Sequence, residues 1–129
     1  MAIKISGTTV INDSQKFLQP SRIYTALTTA SLGPNTDTYD TYLLTSQSSN
    51  LEITADTGTG QFDGQRLLFR ISPTASNLTI TFRTGSSKTY RLLDVAIPSA
   101  TISGKTIYVG CVWNAAATYW DIVACSQQF

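Results

Sequence analysis

The sequence predicts an all-β protein, an antiparallel β-sandwich of the jelly-roll kind with an N-terminal extended arm. Three observations carry this. Short runs of β-branched and aromatic residues recur at spacings of roughly 8–12 residues, separated by Gly, Pro, Asn and Ser, and no stretch keeps a helical period. Only 13% of the 129 residues are charged, while Ser and Thr are plentiful, and Thr favours pleated strands. The block from Gly104 to Cys125 has the composition of a hairpin: two apolar runs around the small and polar residues Asn114 to Thr118.

The chain divides into an arm, residues 1–22, and a β-domain, residues 23–129. In the arm, Ile3, Ile5, Val10 and Ile11 surround Ser6-Gly7-Thr8-Thr9, and Phe17 and Leu18 form an apolar pair before Pro20. This is too little apolar surface to fold alone, since an isolated hairpin is marginal in water. These six residues are therefore expected to be buried against the arm's own domain, a sister subunit or another protein. The stretch from Asp13 to Leu18 is the one place where a helical turn fits.

Strands are expected over Ile23 to Ala30, Tyr39 to Thr45, Leu51 to Ala55, Arg66 to Ile71, Leu78 to Phe82 and Thr89 to Val95, followed by the hairpin. Leu51, Ile53 and Ala55 share one strand face, as do Leu78, Ile80 and Phe82, because side chains alternate along a strand. Asp56 to Gly64 reads as a Gly-rich loop. The run from Gly104 to Trp113 is apolar at nearly every position, which places it mid-sheet with both faces covered. Pairing Asn114 with Tyr119 sets Cys111 opposite Ile122 and turns Cys125 to the other side, so two free, mostly buried thiols are expected. No internal repeat is visible.

The chain has no His. That removes Ser-His-Asp and Cys-His catalysis, the commonest zinc ligand and the usual proton shuttle near neutral pH. Asp56-Thr57-Gly58 matches the short aspartic-protease signature, which would need a dimer to bring two carboxylates together. Thr54 and Ala55 stand where such enzymes carry bulky apolar residues, so an interstrand loop is expected. Ser103-Gly104-Lys105-Thr106 resembles the end of a phosphate loop, but an apolar strand follows where a helix is required. Asp56, Gly58, Gly60, Asp63 and Gly64 offer oxygen ligands for calcium without the EF-hand spacing. Tyr39, Tyr42, Tyr90, Tyr108, Tyr119, Trp113 and Trp120 suit a core or a subunit interface better than a sugar-stacking platform. An exposed cluster among Tyr39, Tyr42 and Trp120 would favour a glycan-binding module instead. No catalytic residue, cofactor or metal is expected.

The net charge of +1 makes no basic field for nucleic acid. No apolar run approaches the length of a membrane span. Lys4 followed by Ser6, Gly7, Thr8 and Thr9 lacks the plan of a signal peptide, so the product is expected to stay in the cell that makes it.

Three segments carry a family resemblance. Ile5-Ser6-Gly7-Thr8-Thr9-Val10-Ile11-Asn12-Asp13-Ser14 resembles a short opening of tailed-bacteriophage fibre and other virion proteins. Asp63-Gly64-Gln65-Arg66-Leu67-Leu68-Phe69-Arg70-Ile71 resembles a strand of a phage virion-protein β-domain. Gly104 to Ala124 is similar to that family's closing segment almost position by position. The chain departs from the pattern near Phe82-Arg83, where the family often has a Trp, and it shows no long stalk after the arm. The resemblance implies a non-enzymatic, commonly homotrimeric virion protein. A compact body with a short arm suits a capsid decoration or cement protein on the major capsid protein. A small tail or head fibre, or a receptor-recognition module, is the alternative. At about 25 cal/mol per Å² of apolar surface, a few arm Ile and Val residues across an interface contribute several kcal/mol.

Overall fold

The computed structural model describes residues 22–129, together with the backbone of residues 3–5 and 8–11. Among the described residues every regular element is a strand, so the protein is all-β, and no helix is long and apolar enough to cross a membrane. The first two strands, β1 (Ile3–Ile5) and β2 (Thr8–Ile11), pair antiparallel, with Ile3 opposite Ile11 and Ile5 opposite Thr8. The side chains of Ile3, Ile5, Val10 and Ile11, and all of Phe17 and Leu18, lie outside the described residues.

From Ile23 the chain alternates between two sheets. One holds β3 (Ile23–Ala26), β5 (Thr41–Gln47) and β7 (Arg66–Pro73); the other holds β4 (Ser31–Leu32), β6 (Leu51–Ile53) and β8 (Ile80–Phe82). Later strands extend the first sheet: β9 (Tyr90–Leu92), β10 (Ile107–Asn114) and β11 (Tyr119–Gln127). Its order is β3-β5-β7-β10-β11-β9, and the smaller sheet runs β4-β6-β8.

This topology corrects the expectation of antiparallel pairing throughout. β3 with β5, β5 with β7, β4 with β6, β6 with β8 and β11 with β9 are parallel; β7 with β10 and β10 with β11 are antiparallel. Parallel neighbours need a crossover of a dozen or more residues, usually a helix. From β3 to β8 each crossover is made by a strand of the other sheet, so β3–β4, β5–β6 and β7–β8 stack as three successive coils, whereas β9 reaches β11 through β10 of the same sheet. Most strand positions follow the sequence, but the strand expected over Ile23 to Ala30 ends at Ala26 and is followed by the unexpected β4; hydrophobic alternation reports burial and is silent on strand direction.

Alternation fills the space between the sheets. Tyr24, Tyr42, Phe69, Val109 and Cys125 lie in register across the larger sheet, and Ala26, Leu44, Ile71 and Ile107 form the next row. Leu32, Leu51, Ile53, Ile80 and Phe82 contribute from the smaller sheet to the same buried cluster. Phe69 meets Phe82 and Tyr90 edge-on, with ring centroids 5.6 Å and 6.2 Å apart.

Where the chain turns between sheets, backbone groups leave their ladders and require other partners. Buried polar side chains supply them. Gln47, fully buried in the second coil, donates to Thr29 O at 2.6 Å and Ser49 O at 2.8 Å and accepts from Thr29 N at 3.1 Å. It thereby holds the corner of the coil before it. Thr101 acts likewise, donating to Ala75 O and accepting from Leu78 N.

In the hairpin, Asn114 faces Tyr119 and Cys111 faces Ile122, as expected. The next pair is Gly110 with Ala124, so Val123 is an unpaired bulge residue. The extra residue reverses the parity of the strand. Cys125 therefore pairs with Val109 and packs on the core, not on the opposite side as simple alternation requires. Both thiols are free, Cys111 buried and Cys125 half-buried. β10 does lie mid-sheet, but only its inward face is covered: Tyr108 on the outward face is 44% exposed.

Candidate interaction surface

Three sequence motifs resolve into structural parts. Asp56 is 3% exposed and accepts five hydrogen bonds: from Thr36 N (3.1 Å), Thr36 Oγ1, Gly58 N (2.9 Å), Gln61 Nε2 (2.6 Å) and Trp120 Nε1 (3.1 Å). None of the ion pairs among the described residues involves it. The carboxylate is a knot joining the loop after β4, the loop after β6 and the closing strand. Its oxygens are taken up by internal donors, which leaves no acceptor to activate a water or hold an ion.

Asp63, the other acidic residue of the Gly-rich loop, accepts from Ala115 N at 3.0 Å and so ties that loop to the hairpin turn. Among the described residues no group of three His, Cys, Asp or Glu is gathered in metal-binding geometry. Gly104, at φ 76°, forms the turn that feeds β10, with Lys105 N donating to Ile102 O. That left-handed backbone is where glycine is required, and the phosphate-loop likeness ends there.

The aromatic residues are mostly interior. Tyr42 and Trp120 are 2% and 0% exposed, so neither offers a ring face to a sugar, and the cluster expected of a glycan-binding module is not formed. Tyr42 instead packs between Tyr24, Tyr39 and Phe69, and its hydroxyl accepts from Asn35 N at 2.5 Å. Burial pushes its phenol up to about 12. Burial raises the Tyr90 hydroxyl as well, and the Cys111 thiol likewise. Trp113 and Trp120 face each other across the hairpin at 5.3 Å.

The surface that stands out is the outward face of the six-stranded sheet. Ile23, Thr41, Leu68, Gly110 and Ala124 are in register across five strands. Beside them runs a second row, Thr25, Leu43, Arg70, Tyr108 and Ser126. Ile23, Leu68, Tyr108 and Val123 are 46%, 36%, 44% and 45% exposed. A groove of about 640 Å³ follows the first row, with Gly110 in its floor and Phe62, Arg66, Leu68 and Val123 among its walls. Sequence reading missed this face. It took β10 as covered on both sides, and the pairing of Leu68 with Gly110 depends on contacts between distant segments.

At one end of the face, Asp121 is held by Arg91 through Nε to Oδ1 at 2.8 Å and Nη2 to Oδ2 at 3.0 Å, with Asn114 Nδ2 at 3.2 Å. The Arg91 guanidinium, aided by Asn114, holds the Asp121 carboxyl below its usual range. The guanidinium also lies 5.6 Å from the Tyr119 ring centroid. This polar cluster bounds the apolar rows. No family model matches the chain, and no curated protein or solved structure is significantly similar to it.

Proposed function

We propose that the chain is a non-enzymatic structural protein of a bacteriophage virion. In this reading it is a capsid decoration or cement protein that assembles as a homotrimer on the major capsid protein and stabilises the head. One observation carries the reading: the apolar rows on the outward face of the larger sheet, with Ile23, Leu68, Tyr108 and Val123 each more than a third exposed. Contiguous apolar patches of this kind mark protein contact sites. The resemblance of residues 5–14, 63–71 and 104–124 to segments of phage virion proteins supports this class of partner. The two sheets serve as the layers of a β-sandwich of jelly-roll character, and residues 1–22 are the arm that reaches a neighbour.

Two measurements test this. The mass of the purified protein should be that of a trimer, and its position should be found on the head of intact particles. Deleting residues 1–12 should leave a folded domain that no longer joins the particle; assembly at wild-type occupancy would refute the arm's role. A small tail or head fibre is the second reading, favoured by the parallel stacking of β3, β5 and β7, a geometry that propagates along one axis.

A further inference from the structure

We propose that the outward face of the larger sheet selects an acidic partner: a surface of another protein that carries two carboxylates about 13 Å apart with an apolar side chain between them. This rests on the reading of that face as a contact site and adds the chemistry it selects.

β7 supplies the selecting groups. Arg66, Leu68 and Arg70 alternate on its outward side, so the two arginines stand four residues apart, ~13 Å at ~3.3 Å per residue. Arg66 lies opposite Val112 and walls the groove. Arg70 stands in the second row between Leu43 and Tyr108. Leu68 faces Gly110 across the ladder, where the groove has its floor. Two positive charges thus bracket an apolar dip.

Among the described residues neither of these arginines is ion-paired, whereas Arg22, Arg83 and Arg91 pair with Asp40, Glu52 and Asp121. Covering the face strips water from both guanidinium groups, and a desolvated charge without a partner is costly. A fitting partner therefore brings carboxylates, which guanidinium engages through charge-assisted, often bidentate hydrogen bonds. A second copy of this chain does not fit. Two such faces pressed together about a two-fold axis would oppose positive to positive. The other described acids offer little: Asp56 is buried, Asp37 accepts from Thr59 N and Gly60 N, and Asp63 accepts from Ala115 N, which leaves Asp94.

Calorimetric titration of the full chain with three synthetic peptides tests this. The first carries Glu-Ser-Leu-Ser-Glu, whose Glu and Leu side chains share one face when extended; the second has Lys for both Glu, and the third has Ser for Leu. The first should bind at least ~10-fold more tightly than the second at low salt, and the preference should shrink as salt rises. The third should bind more weakly than the first. Arg66→Gln with Arg70→Gln should bring the Glu and Lys peptides within about twofold of each other. Should that variant fail to fold, Arg66→Gln alone, at an exposed position, should reduce the preference at least ~3-fold. No preference in the wild type, a preference unaltered by these substitutions, or equal binding of the third peptide would overturn the proposal. On particles the two readings separate. Absence of the wild-type protein from the head would overturn the virion reading and leave the peptide result standing. Equal occupancy by the wild type and the double variant would overturn the acidic partner alone.

Discussion

The Trp120 indole N–H donates to Asp56 Oδ2 at 3.1 Å, across 64 residues of sequence. Both groups are buried, and the bond joins the last strand of the larger sheet to the loop that follows the second coil. Thr36 brings the first coil to the same carboxylate. One side chain thus ties the last strand to two neighbouring coils, whose own ladders join β3 to β5 and β4 to β6.

Removing that acceptor should be costly. Asp56→Ala leaves Thr36, Gly58, Gln61 and Trp120 with buried donors and no partner. The expected loss is about 3 kcal/mol or more, since each buried donor left without an acceptor costs about 1–3 kcal/mol. Asp63→Ala, which frees one exposed backbone bond to Ala115, should cost about 1 kcal/mol or less. Denaturant midpoints would separate the two, and equal effects would refute the hub.

Acid should weaken the protein through Asp121. Its folded-state value is depressed chiefly by the hydrogen bond from Arg91. The stability it contributes is therefore fully present above the ordinary value of 3.8 and is lost as pH falls through the lower folded-state value. Arg91→Ala should be less stable than the wild type at neutral pH. The two stability curves should converge at the acid end, once pH lies below the lowered folded-state value. The Arg91 guanidinium is exposed, so the difference should shrink with added salt.

Alkali acts through Tyr42, whose phenol is raised from 10.0 to about 12 by burial. A raised value on a neutral acid means that stability is full below pH 10 and falls as pH climbs toward about 12, because the unfolded chain releases its proton first. Tyr42→Phe orphans Asn35 N and should cost about 1–3 kcal/mol at neutral pH. Its stability should also fall less steeply than the wild type's above pH 10. Parallel curves across that range would show that Tyr42 does not carry the effect.

The bulge makes an unusual deletion tolerable. Taking one residue from a regular strand turns every later side chain to the wrong face. Removing Val123 instead leaves Gly110 with Ala124 and Val109 with Cys125, the pairs present already. The variant should unfold cooperatively, and Cys125 should react with a thiol reagent within about threefold of its wild-type rate. Reaction at the rate of a free thiol would show that parity is held elsewhere.

Tyr108→Glu places a charge on the outward apolar rows. Tyr108 is 44% exposed, so the isolated domain should change in stability by no more than about 0.5–1 kcal/mol. If this face joins neighbouring copies, the variant should sediment as a monomer at concentrations where the wild type associates. An unchanged mass would remove the outer face from the interface.

Much of the architecture was legible in the residues. Alternation at Leu51-Glu52-Ile53 and along Leu78 to Phe82 located strands and their buried faces, because the period of a strand shows in each residue's neighbours. Asn114 to Thr118 marked the hairpin turn and its register at Cys111 and Ile122. The loop reading of Asp56 to Gly64 was equally local, resting on Gly spacing and on Thr54 and Ala55. The hydrogen bonds of Asp56, by contrast, come from Thr36 and Trp120, far away in sequence.

By itself, then, the sequence determined an all-β chain, the places of most of its strands and the inward side of β6 and β8, since these follow from alternation and turn chemistry over a few residues. Only the tertiary structure decided that β3, β5 and β7 run parallel. Their starts at Ile23, Thr41 and Arg66 are unevenly spaced, so the coils leave no repeat to read, and strand direction is set by crossovers through a second sheet. It alone decided that Val123 returns Cys125 to the core, because a bulge is a property of two paired strands. The groove over Gly110 was decided in the same way: its floor and walls come from residues that only folding brings side by side.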